Sequence, residues 1–76
     1  MTRTELSQTA LLVRDRLGFI ADELDTDLWT LMRHTTPRRA TQAIAAVADD
    51  VTCHNGTDRY NRLLQLLRPK VGMPRR

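Results

Sequence analysis

An all-α fold is what this 76-residue chain predicts: a small bundle of three to four helices that dimerises through its first helix. Three observations point there. Leu6, Ala10, Val13, Leu17, Ile20 and Leu24 recur at alternating four- and three-residue steps, which places all six on one face of a helix. The apolar residues are mostly Leu, Val, Ile and Ala, with Phe19, Trp29 and Tyr60 the only aromatics and no alternating β-branched run. That composition suits helices better than sheet. Third, a chain this short buries little core of its own, so a packing face of that length asks for a partner to cover it.

The first helix is expected from Thr4 to Leu24, capped by Thr4 or Thr2, with Glu5 near the positive end of its dipole. Gly18 falls inside it and weakens it by about 1 kcal/mol relative to Ala. Leu12 and Phe19, seven residues apart and away from the main stripe, read either as a wider core face or as a second interface. Asp25-Thr26-Asp27 is either a turn that caps a short second helix from Asp27 to His34, or an exposed part of one continuous helix, because Leu28 and Leu31 prolong the stripe. The cap-like, poor helix-forming triplet favours the turn.

Thr36 as N-cap and Pro37 as first helical residue open a third helix that reaches about Cys53. Its apolar face is Ala40, Ala43, Ile44, Val47, Ala48 and Val51. Asn55-Gly56 is expected to end it, with Gly56 left-handed. Thr57 or Asp58 then caps a fourth helix through Arg68, with Tyr60, Leu63, Leu64 and Leu67 inward and Pro69 as the stop. Residues 1–68 thus read as a single helical domain, and residues 69–76, which lack periodicity, as a basic flexible C-terminal tail.

Hydrophobic residues make up 41% of the chain, too many for a disordered one. Cys53 is the single cysteine, which excludes an intrachain disulfide and points to a reducing compartment, the cytoplasm. The apolar run nearest the start, Ala10 to Val13, is far too short for a signal peptide or a membrane span. The net charge is +3, unevenly spread: residues 1–35 carry four basic and six acidic side chains, residues 36–76 eight basic and three acidic. Halves of opposite sign suit self-association or an acidic partner.

No set of residues carries chemistry. His34, Cys53 and His54 lack a paired metal-ligand spacing. Cys53 and His54 are adjacent, so on a helix they diverge by about 100° and make a poor nucleophile–base pair. Asp22-Glu23 and Asp49-Asp50 fall on polar faces, without the pocket that acid–base work requires. No catalytic, cofactor or metal site is expected, and no enzyme.

Two functional readings stand. The first is a small protein-binding regulator, adaptor or inhibitor that occludes a surface of a larger partner protein. Leu12, Phe19 and Trp29 are its apolar contacts, Trp29 lying away from Leu28, Leu31 and Met32, and an exposed Trp flanked by Leu and Met has a hot-spot composition. The alternative is a nucleic-acid-binding transcriptional regulator. A degenerate helix-turn-helix pattern spans residues 17–36, with Asp25 where the turn usually has Gly and an acidic run where phosphates would lie. Arg33, Arg38 and Arg39 around the start of the third helix, with Arg59 and Arg62 on the fourth, would contact phosphate or an acidic protein.

Overall fold

A computed structural model describes residues 1–68, and the regular elements among them are four helices: α1 (Arg3–Leu17), α2 (Thr26–Arg33), α3 (Pro37–Ala48) and α4 (Gly56–Leu67). The expected tail, residues 69–76, lies outside the described residues.

α1 begins with a full capping box. The Thr2 hydroxyl accepts from the Glu5 N–H at 3.2 Å, and the Glu5 carboxylate accepts from the Thr2 N–H at 2.7 Å. The helix ends at Leu17 rather than at Leu24, because Gly18 is not an interior residue but the cap. At φ 78°, ψ 18° it is left-handed, and its N–H donates to the Arg14 carbonyl at 3.0 Å. Any residue with a Cβ pays for that backbone in strain even where, as here, nothing stands within 4 Å of the position. Ile20 and Leu24, expected on the core stripe, are consequently 73% and 88% exposed.

Residues 18–25 form a non-helical connection, which removes the continuous-helix alternative. The Asp22 carboxylate accepts from the Leu24 N–H at 3.0 Å, and Asp25 caps α2 by accepting from the Leu28 N–H at 3.1 Å. α3 starts as expected, with Pro37 in its first turn and the Thr36 hydroxyl accepting from the Arg39 N–H at 3.1 Å. It stops at Ala48, short of Cys53. The Asp50 carboxylate takes both the N–H and the hydroxyl of Thr52, at 2.9 and 2.6 Å, a local turn that competes with another helical turn. Those two bonds hold the Asp50 carboxyl below its ordinary range, aided by the Arg62 charge. Ala48 and Val51, expected on the apolar face, are exposed. Gly56 opens α4 instead of ending α3, and Asn55, not Thr57 or Asp58, is the cap, accepting from the Asp58 N–H at 2.9 Å.

Three contacts set the chain direction. The Met1 amino group donates to the Arg33 carbonyl at 3.1 Å, so α1 starts where α2 ends. Arg59, near the start of α4, reaches the Leu17 carbonyl at the end of α1 at 3.5 Å. Asp50, just beyond α3, pairs with Arg62 on α4 at 3.3 Å. The helices therefore alternate in direction, with α1 parallel to α3 and antiparallel to α4. α1 packs chiefly on α3, and α4 packs on all three other helices. Their shared core centres on Val13, Leu28, Met32, Val47 and Leu63, all fully buried, with Leu6, Leu17, Ile44, Leu64 and Leu67 around them. The Thr9 hydroxyl is buried among these and satisfied by the Glu5 carbonyl at 2.8 Å. The inner stripe of α1, cut short at Leu17, is thus covered by the chain's own helices. Any surface α1 offers to another molecule is its outer one.

Candidate functional site

The outer face of α1 does not meet plain solvent. Arg3, Ser7, Ala10, Leu11 and Arg14 follow one another along it at helical steps and form one wall of a groove of about 500 Å³. The opposite wall is Ile20, Ala21, Asp22 and Glu23 of the connection, with Trp29 of α2. The groove exists because Gly18 turns the chain out of α1: a helix running on to Leu24 would have carried Ile20 away from Leu11. Leu11 is 52% exposed and Ile20 73%, whereas Ala21 is anchored in the core. The middle of the groove is therefore apolar and open. Its rim is charged, basic on the helix wall and acidic on the connection wall, with no ion pair across it: among the described residues Arg62–Asp50 is the only pair within 4 Å.

The apolar residues singled out from the sequence do not form one surface. Trp29 lines the groove, half-buried against the core. Leu12 lies on the other side of α1, half-buried in a shallow crevice against Ile44, Ala45 and Ala48 of α3. Phe19 packs edge-on against Tyr60 of α4, ring centres 5.6 Å apart at 72°. Leu12 and Phe19 thus extend the core, and Leu11 and Ile20 carry the exposed apolar surface of the groove. Leu11 was legible as an apolar residue off the main stripe. Ile20 was hidden by fitting that stripe.

The arginines divide as well. Arg59 is directed to the Leu17 carbonyl, a cation at the negative end of α1, and Arg62 to Asp50 and to Gln65. Both are thus engaged within the chain. Arg33, Arg38 and Arg39 are exposed and make no side-chain hydrogen bond or ion pair among the described residues. They sit with the Met1 amino group at one end of the bundle, where α2 ends and α1 and α3 begin. The helix-turn-helix pattern over residues 17–36 is not formed, since its first helix would occupy the 18–25 connection.

His34 is exposed in the turn before α3, while Cys53 and His54 lie in the α3–α4 connection. Among the described residues no group of three or more His, Cys, Asp or Glu is placed to hold a metal ion. No helix among them is long and apolar enough to cross a membrane.

One titration reports on the connection directly. The Asp25 carboxylate beside the Tyr60 phenol, followed by desolvation, pushes that phenol up to about 12. Its proton is bound more tightly in the folded chain than at the ordinary value of 10.0. The stabilisation is therefore complete below pH 10 and is lost as pH rises through about 12. Near-ultraviolet absorbance of this single tyrosine is expected to titrate near 12, and Asp25→Asn, which keeps a capping side chain, to bring the midpoint back toward 10. An unchanged midpoint in the variant would show that Asp25 is not the cause.

No known protein family, characterised protein or solved structure matches this chain.

Proposed function

We propose that the protein is a non-enzymatic protein-interaction module of the cytoplasm: a small regulator, adaptor or inhibitor that covers a surface of a larger partner protein. The observation that carries this reading is the groove on the outer face of α1, with an open apolar middle at Leu11, Ile20 and Trp29 and a charged rim. An apolar centre inside a polar rim is the usual anatomy of a protein-docking surface. The same face of α1 carries self-association.

A second reading rests on Arg33, Arg38 and Arg39. Arg38 and Arg39 occupy the first turn of α3, where the helix dipole disfavours a cation, and no carboxylate within 4 Å compensates them among the described residues. Such a cationic end suits an anionic partner, nucleic acid included.

Capture on the immobilised chain, with nuclease and at two salt concentrations, separates the two. A protein that survives nuclease and is lost from Leu11→Glu/Ile20→Glu supports the groove. Retention on that variant overturns it. Material that disappears with nuclease, and is lost from Arg38→Ala/Arg39→Ala, makes the cationic end the site.

A further inference from the structure

We infer that, when no larger partner is present, the groove is filled by a second copy of this chain, the two related by a two-fold axis. This rests on the reading of the groove as a protein-docking surface and names its resting occupant. The argument is one of charge and symmetry. Arg3 and Arg14 stand on the helix wall, Asp22 and Glu23 on the connection wall, and the two walls do not pair with each other. A partner of a single charge sign meets attraction on one wall and repulsion on the other. A second copy turned by a two-fold axis that runs along the groove, between its walls, lays its acidic wall on the basic wall of the first and its basic wall on the acidic one. The surface is complementary to itself, which an isologous interface requires. The axis runs through the apolar middle, so Leu11 and Ile20 of one copy are covered by the same residues of the other.

Charge reversal tests this in a way a merely exposed patch cannot imitate. Arg3→Glu/Arg14→Glu alters only the helix wall. Glu23→Arg alters only the connection wall and spares Asp22, whose carboxylate holds the local turn. Sedimentation equilibrium of the full chain from micromolar to submillimolar concentration is expected to show a dimer for the unaltered protein. Each variant alone is expected to dissociate roughly tenfold more readily or more, because symmetry makes every substitution act twice. An equimolar mixture is expected to dimerise more tightly than either variant alone: in the mixed pair one contact keeps the original opposite charges, and the other sets the reversed helix wall against a connection wall that Glu23→Arg has brought to neutrality. Leu11→Glu, at an already exposed helical position, gives an independent reading: it should be monomeric.

A monomer at all concentrations overturns the inference. So does a dimer indifferent to the charge variants, or two weakened variants that dimerise no more tightly on mixing. A monomer that still captures a foreign protein through Leu11 and Ile20 removes the second copy but leaves the proposed function standing. A dimer that captures none leaves the inference and removes the larger partner.

Discussion

Leu63→Ala is expected to remove a large part of the stability of the fold. Leu63 is fully buried on α4, the helix that packs on all three others, so the cavity opens at the junction of the bundle. Such truncations cost about 2–5 kcal/mol. A 76-residue domain has only roughly 4–11 kcal/mol of stability in total. The melting temperature of a domain this size falls by about 4–8 °C per kcal/mol. Thermal unfolding followed by far-ultraviolet circular dichroism is therefore expected to show a drop of at least about 10 °C. A shift of only a few degrees would mean that α4 is not the central support.

Leu11→Glu/Ile20→Glu is expected to behave in the opposite way, with binding lost and folding kept. Both side chains are already more than half exposed, so little buried contact is removed. Glu is a good helix former at position 11, and surface changes of this kind usually stay within about 0.5 kcal/mol each. The melting temperature should move by no more than a few degrees, while self-association and protein capture both disappear because charge now stands in the apolar middle of the groove. A variant that melts far below the parent would place these two residues in the core and dissolve the groove as a site. The contrast with Leu63→Ala distinguishes apolar residues that hold the fold from apolar residues that face outward.

That distinction was only partly legible in the sequence. Helix starts read well where the cap is chemically unmistakable, as with Thr36 before Pro37 for α3; for α1 the sequence left Thr4 and Thr2 both open, and the capping box selects Thr2. Buried positions inside the helices also read well, since Leu6, Val13, Leu17, Ile44, Val47, Leu63, Leu64 and Leu67 all lie in the core. Helix ends read badly, and for one reason. Ile20 and Leu24 continue the spacing of α1, and Val51 continues that of α3 from Val47, but periodicity takes no account of a left-handed glycine or of a side chain that captures the backbone. Gly18 and Asp50 each break a helix whose apolar rhythm carries on past the break. Of the candidate site the sequence singled out only Trp29, and the rest was missed on the same account, because the groove is made by the break. Two of the five arginines chosen from the sequence have partners within the fold: Arg59 because α4 returns past the end of α1, and Arg62 because Asp50 of the α3–α4 connection lies beside it.

The parallel pairing of α1 with α3 bears on the order in which the molecule assembles. α3 and α4 are neighbours along the chain and in space, joined by residues 49–55, and can pair as a local hairpin. α1 finds its principal partner only across residues 18–36, so docking it requires a longer loop to close. Folding is then expected to nucleate on α3 and α4, with α1 joining late. Conservative truncation of Leu64 should slow folding, whereas Val13→Ala should chiefly speed unfolding; equal effects on the folding rate would point to a nucleus that already includes α1. During synthesis from the N-terminus, the helix made first is the one that must wait. Until α3 is complete, its Leu6, Val13 and Leu17 lack their principal cover.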